Sequence, residues 1–480
     1  EVIDTQHAVR RYAALNPDLR RHGLKDAARY FGFASAEREY VPGPEIWSTY
    51  QRDPERVRRY AADDVEEVDG LSRRLLPVAF GLAQLLPRSF ERIAADSGAV
   101  ALWEPLLVRA YLHEARAISA PMPRLQWPIA SAGAAGLRLR GVVGSSARAT
   151  LVPLLPSVIA EHELAAANDD LGAMPRMLGA LLMSGQGEAS RELAQASFGY
   201  LAGQSLLSDP HCATNILQLG GGVVAQVVSD LEAHGCQIIE TYGEDVLFAT
   251  PSTWNAVVEQ TVIEHAGRYL PPGVTLTFPG HYRALYARAP HSTIMLGYDG
   301  SVTLVGSSFR PGHLERYGED FLRRAAVAAL TGSAVGLREV FLAMVHLLRT
   351  AQVPLEDLSM QVTLHKSPPQ YRRSATHEEP YEVLLAAGVR SWRVGQRIRY
   401  FRARGGEPRL LQEADDTSPA EADAEFYVQR LVAMYAQQFS HAFARTDFVE
   451  IFSVPAGAGP FDDRFIPPRL ATVHPLLELV

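Results

Sequence analysis

The sequence predicts an α+β fold in several domains, and three stretches predict it. In the first, residues 213–234 place Ile216, Leu217, Val223, Val224, Val227, Val228 and Leu231 at helical spacing, with Gly235 as the stop. That helix runs into two apolar segments, 236–239 and 246–249, around the polar turn Tyr242-Gly243-Glu244-Asp245, which is a β-hairpin. The second stretch is another hairpin, over 286–310, turning at Asp299-Gly300. The third is a pair of long helical patterns outside the hairpins, 64–86 upstream and 317–350 downstream.

Composition sets the limits. A chain of 480 residues with 47% hydrophobic content is long enough for about three domains and a large core. It holds no run of 18 or more apolar residues, so no membrane span is expected. Two cysteines, Cys212 and Cys236, argue against a disulfide scaffold and for a reducing, cytoplasmic setting. No signal peptide is read at the start, and a first residue of Glu rather than Met reads as an N-terminally trimmed chain. The net charge is −8, so a nucleic-acid partner would need positive charge gathered locally. Lys25 and Lys366 are the only lysines; the preference for arginine fits a GC-rich genome.

Taken in order, 1–66 is rich in charge and contains Tyr60 and Asp64 in a Y-x3-D arrangement. On its own this pair can be nothing more than the start of a charged helix. The helix over 64–86 has Val65, Val68, Leu71, Leu75, Leu76, Val78 and Leu82 as its apolar stripe and is expected to continue toward residue 114. Pro121, Pro123 and Pro128 mark a domain boundary within 119–140. Residues 141–159 bring Thr150 ahead of L-V-P-L-L-P-S. The segment 157–190 is short and acidic, with Glu161, Glu163, Asp169, Asp170 and Glu188 against the single base Arg176. Met174, Met177 and Met183 are expected to fill core. Gly220-Gly221-Gly222 lies inside a helix and reads as a packing site rather than a phosphate loop.

Downstream, 390–404 holds six arginines in fifteen residues. Arg397 and Arg399 alternate with Ile398 and Tyr400, so one strand face is basic. With Lys366, Arg372 and Arg373 this is the best phosphate-binding candidate; the alternative is a solvated edge strand that uses charge against aggregation. Residues 412–424 read as an acidic loop, 421–445 as a final helix, and the stretch after 454 as an extended tail. No repeat, metal-ligand cluster, phosphate-cradling glycine loop or Ser-His-Asp signature is read, and the histidines read as structural.

These motifs, in this order, resemble the B-family DNA polymerases of bacterial type that carry a proofreading 3′–5′ exonuclease. The family's K-x3-N-S-x-Y-G helix corresponds to Arg191, Gln195, Ala196, Phe198 and Gly199. Its D-T-D hairpin corresponds to Tyr242, Gly243 and Glu244. In its D-x2-S-L-Y-P-S motif, Leu154, Pro156 and Ser157 match, while the metal-binding aspartate falls on Thr150 and the steric-gate tyrosine on Leu155. Arg310 matches an arginine after the hairpin at 299–300, where Pro290, His291 and Thr293 replace the K-K/T-x-Y element. The last exonuclease motif corresponds to Tyr60 and Asp64.

The resemblance implies a partial RNase H-like exonuclease domain with its connecting helix over 1–95, a linker over 96–140, a palm over 141–316 with fingers reduced to 157–190, a thumb over 317–445 and a tail over 446–480. It implies DNA as partner, a role in replication or repair, and Mg²⁺ as the ion such sites use. With Thr150, Tyr242 and Glu244 at the carboxylate positions no metal or cofactor is expected, and the chain reads as a DNA-binding pseudoenzyme. The expected DNA contacts are Arg191, Arg310, Lys366, Arg372, Arg393, Arg397 and Arg399. Two other functions stay open: an active polymerase using Glu244 and Asp245 as shifted ligands, and the remnant of an exonuclease whose catalytic half lies upstream.

Overall fold

The structure is a computed structural model that describes residues 3–15, 19, 22–35, 37–41, 43–95, 98–119, 136–184, 187–306, 309, 315–411, 418–454 and 465–480. Arg310, the prolines at 121, 123 and 128, residues 412–417 of the acidic loop and 455–464 of the tail lie outside them. The chain forms two compact units: Glu1–Ala134 with Leu151–Gln226 and Glu264–Leu276, and Ala135–Thr150 with Val227–Ile263 and Thr277–Val480.

The first unit is helical, and its longest element is Pro54–Leu85. Asp53 accepts from the Arg56 N–H, and Pro54 occupies the first turn, where its missing N–H costs nothing. The buried stripe is Leu71, Leu75, Ala79 and Leu82. Val65 and Val68, expected on that stripe, are exposed, because the inward position of their turn belongs to Glu67, which Arg38 clamps. The helix does not continue to residue 114. Pro87 follows its end, and separate helices Phe90–Ala95 and Ala99–His113 come next. The second of these lies in the stretch expected to be a linker and buries Leu102, Trp103, Leu107 and Tyr111.

Helices Leu154–Glu161, Ala173–Ser184 and Gly187–Ala202 complete this unit with the start of Pro210–Ala233. Trp103 Nε1 donates to the Leu193 carbonyl at 2.8 Å. A Cβ on Gly81 would stand 2.7 Å from that of Ala189, so the two helices cross at a glycine. Asp169 accepts from the N–H groups of Ala173 and Met174 and from Tyr111 Oη, so this acid of the 157–190 segment is spent on capping a helix. Met174 is buried, but Met183 is 85% exposed and fills no core. A Cβ added at Gly220 would stand 2.9 Å from the Leu155 side chain, so the glycine lets that side chain pack close to the helix. Pro210–Ala233 is long and apolar enough to cross a membrane by length and composition; its Ala213, Ile216, Val224, Val227, Val228 and Leu231 are buried in the protein.

The second unit carries most of the strands. In chain order they are β1 Gly136–Leu137, β2 Leu139–Val143, β3 Ser146–Val152, β4 Gln237–Tyr242, β5 Asp245–Ala249, β6 Thr275–Tyr282, β7 Ala284–Ala289, β8 Ser292–Leu296, β9 Val302–Val305, β10 Met360–Thr363, β11 Arg397–Arg402, β12 Pro408–Leu410 and β13 Leu477–Leu479. They form sheets ordered β1-β4-β5-β3-β6, β13-β2-β7-β8-β9 and β10-β11-β12. β13 lies in what was expected to be an extended tail; its pairing with β2 satisfies backbone groups that an extended tail would leave to water.

One face of the second sheet packs on helices Arg316–Leu330 and Ala334–Arg349 and on 427–452 to make a large core. The stretch 317–350 is therefore two helices. Gly332, at φ +78°, ends the first, and Ser333 Oγ caps the second by accepting from the Gly336 N–H. The final helix expected over 421–445 is also broken. Ala424–Arg430 widens into a π turn at Leu431–Tyr435 and tightens at Ala436–Phe439, which turns Tyr435 onto Gly318.

Candidate functional site

The β4–β5 hairpin closes on the pair Tyr242↔Asp245, leaving Gly243 and Glu244 as the turn. Gly243 takes φ +56°, the left-handed backbone that tight hairpin turns favour. β3 runs antiparallel to β5 with Thr150 opposite Asp245, and Thr150 Oγ1 donates to Asp245 Oδ1 at 2.5 Å. The carboxylate facing Thr150 is thus Asp245, whereas Glu244, expected on the adjacent strand, sits in the turn.

A second group surrounds this tip. A bulge between Ile238 and Glu240 interrupts the alternation of β4, so Glu240 points inward and is 4% exposed. It accepts the His291 N–H at 2.7 Å and stands 3.3 Å from His291 Nδ1. The His291 imidazole packs on Tyr242, ring centres 3.8 Å apart. Burial pushes the Glu240 carboxyl above its ordinary value, and the His291 N–H and imidazole oppose the shift. The folded state then holds this proton to higher pH than the unfolded chain, so the parent loses stability as pH rises above the ordinary carboxylate range. Glu240→Gln keeps an acceptor for His291. Its unfolding midpoint is expected to exceed the parent's at pH 7 and to converge with it near about pH 4; thermal unfolding across that range checks this, and a variant less stable at pH 7 refutes it.

These donors do not fit a pair of Mg²⁺ ions. Two such ions about 4 Å apart need several ionised carboxylates between them. Thr150 supplies a neutral hydroxyl, Asp245 already accepts from it, and Glu240 is buried beneath His291. Among the described residues no three His, Cys, Asp or Glu side chains gather in a metal-binding group.

In the other unit, Tyr60 and Asp64 lie inside Pro54–Leu85. Asp64 is ion-paired with both Lys25 and Arg38. The same two cations stand over the Tyr60 ring, at 4.8 Å for Lys25 Nζ and 5.6 Å for Arg38 Cζ. Asp64 is therefore neutralised by side chains, and a metal ion there would have to displace two of them.

The arginine-rich strand is β11, between β10 and β12. Ile398 and Tyr400 are buried, Arg397 is exposed, and Arg399 lies half-buried with its Nη2 3.4 Å from Gln361 Oε1. Arg393 is exposed on the loop before the strand and Arg372 on the helix Pro368–Arg372. Lys366 differs: its ammonium is held by Glu378 at 2.5 Å and by Ser374. Arg402 and Arg409 are likewise paired, with Glu379 and Glu421. Arg191 is exposed on Gly187–Ala202, in the first unit.

No family model matches the chain. Over 245 residues, 49% of its length, it is 23% identical to a DNA polymerase of Methanocaldococcus jannaschii, of which it spans 15%. Its backbone follows the family B DNA polymerase of the hyperthermophilic archaeon Pyrobaculum calidifontis with a TM-score of 0.69 at 16% identity, over 94% of this chain and 63% of that one. The fold is that of a family B DNA polymerase.

On this polymerase fold, the side chains that sequence reasoning missed are Asp245 as the partner of Thr150, and Glu240 with His291. A signal for the first was present: two apolar runs flanking a two-residue turn place the turn at Gly243-Glu244 and start the return strand at Asp245. No local signal marks Glu240, because a bulge is invisible in a pattern of apolar residues.

Proposed function

We propose that this polymerase-like chain binds DNA through its phosphate backbone and does not transfer nucleotides. The observation that supports the reading is the Thr150–Asp245 hydrogen bond: beside the position to which the resemblance assigns a metal-binding aspartate, it offers one neutral hydroxyl and one committed carboxylate, and metal-dependent transfer needs several free carboxylates. The likeness to DNA polymerases supports DNA as the partner. Since the whole chain carries a net charge of −8, affinity must come from a local patch. Arg372, Arg393, Arg397 and Arg399 supply one; none of them forms an ion pair among the described residues. Lys366 is removed from the set because Glu378 cancels its charge. A reducing, cytoplasmic setting belongs to the same proposal.

Phosphate contacts release counterions, and log affinity falls with log salt by about 0.9 per contact. Replacing Arg397 and Arg399 with Ala is expected to weaken duplex binding and to flatten that slope by about two, equally for unrelated sequences. Lys366→Ala and Glu161→Ala are expected to leave the slope unchanged. Fluorescence anisotropy over a salt series measures all of these. Parental affinity and slope in the double variant would reduce these arginines to a solvated strand face.

A further inference from the structure

Strand β3 carries a cation on the face that the candidate site uses. The ladder between β3 and β5 runs without a bulge: Ser146 stands opposite Ala249, Arg148 opposite Leu247 and Thr150 opposite Asp245. Thr150 and Asp245 bond through their side chains across this ladder, so by alternation the side chains of all three pairs share one face. The inner end of that face is closed, because Leu247 and Ala249 pack against the small core of Leu139, Val143, Leu285 and Ala287. The outer end is open: Tyr242, opposite Asp245 on β4, is exposed. Arg148 lies between the two ends and is half-buried.

Arg148 makes no ion pair or hydrogen bond through its side chain among the described residues, and its Nε is sealed from water without an acceptor. Ser146 Oγ, one step deeper on the same face, is sealed and unpartnered too. Asp245 is the diagonal neighbour of Arg148, about 7–8 Å away between backbones. An arginine can span that gap, but Thr150 holds the carboxylate instead. Packing, not an acid, therefore holds this side chain. Arg402 and Arg409 differ, since carboxylates cancel them. A leucine or methionine would fill the Arg148 position without stranding a polar group, so the orphaned guanidinium calls for a partner. A cation that is held in place and left uncancelled is preorganised for an anion: binding has no acid to displace and no free side chain to order. Guanidinium groups match phosphate oxygens in charge and geometry.

We infer that Arg148 anchors a binding site for a phosphate-type oxyanion on the open face of this sheet, separate from the arginines of β11. The inference rests on the reading that Thr150 and Asp245 hold no metal: the anion meets Arg148 directly, and Asp245 repels it. The oxyanion is either a backbone phosphate of DNA or a free pyrophosphate-like ion, which share this chemistry. The test is calorimetric titration of the full chain with sodium pyrophosphate in the presence of a chelator, with Arg397 and Arg399 replaced by Ala so that β11 contributes nothing. Saturable binding is expected. Arg148→Met is expected to lose about tenfold in affinity, the worth of a charge-assisted hydrogen bond. Its melting temperature should be no lower than the parent's, because no bond to the protein is lost. Asp245→Asn, whose amide oxygen still accepts from Thr150, removes a like charge and is expected to tighten binding by about threefold. No binding in the parent, undiminished binding in Arg148→Met, or weaker binding in Asp245→Asn overturns the site. A melting temperature that falls by several degrees in Arg148→Met assigns the arginine to the fold and overturns it as well. A short DNA duplex that competes with pyrophosphate assigns the site to the backbone; one that does not assigns it to the free anion, and both outcomes support the site. Binding that appears only when Mg²⁺ replaces the chelator, and disappears in Asp245→Asn, would refute the metal-free reading itself, a result distinct from any that touches Arg148 alone.

Discussion

Arg430→Ala is expected to destabilise the protein by about 3–5 kcal/mol, the cost of stranding a buried charge. The charge is Glu315, 1% exposed, which precedes the helix Arg316–Leu330. Its Oε1 accepts from Arg430 Nε at 2.5 Å and its Oε2 from Tyr435 Oη, while Tyr435 Oη itself accepts from the Glu315 N–H at 3.1 Å. Tyr435 also lies over Gly318, where an added Cβ would stand 2.0 Å from the ring, so the aromatic group cannot shift to compensate. Removing the guanidinium leaves Glu315 with a phenol alone. The sign of the companion variant separates a charge effect from lost packing. Glu315→Leu combined with Arg430→Met replaces both charges by apolar groups, and such replacements are often neutral or better, so most of the loss should be recovered. Urea unfolding measures both variants. A loss below about 1 kcal/mol in Arg430→Ala would mean that Glu315 is solvated or held otherwise.

The parts of this fold that were legible in the sequence are those whose signal is local. The β4–β5 hairpin, the turn at Asp299-Gly300 and the long periodic helices follow from residues near each other in the chain. Even the split of 317–350 had a local mark in Thr331-Gly332-Ser333, which the strength of the apolar pattern on either side obscured. What could not be read depends on distant partners. Glu378, Glu379 and Glu421 neutralise Lys366, Arg402 and Arg409, so a count of basic residues overstated the positive field of that strand. Asp64, which the resemblance sets at an exonuclease position, is ion-paired by Lys25 and Arg38, both far upstream in the chain. Glu67, not Val65 or Val68, faces inward because Arg38 meets it there. Arg140 and Glu478, at opposite ends of the second unit's sequence, meet only through strand pairing.

No template-directed primer extension is expected from this chain, with Mg²⁺ or with Mn²⁺. Transfer of this kind uses two ions about 4 Å apart to stabilise the attacking and leaving oxygens, and losing that stabilisation costs several kcal/mol. Since each 1.36 kcal/mol is a factor of ten, even about 4 kcal/mol lowers the rate roughly a thousandfold. Thr150 donates its proton to Asp245, so one oxygen of the nearest carboxylate is engaged by a neutral group. Glu240 is turned inward by the bulge and held by His291, and the Tyr242 ring lies tilted against that same histidine. Thr150→Asp alone is not expected to restore activity, because it would set a second carboxylate directly opposite Asp245, where the two like charges repel, and two ions need more ligands than that pair. Incorporation of labelled nucleotide on a primed template is the measurement, with an active polymerase as the positive control. Extension that depends on template and disappears in Asp245→Ala would show that Asp245 serves as a shifted ligand. Extension lost in Glu244→Ala instead would place the ligand in the turn. Either result would replace the reading of a binding module with that of a working polymerase.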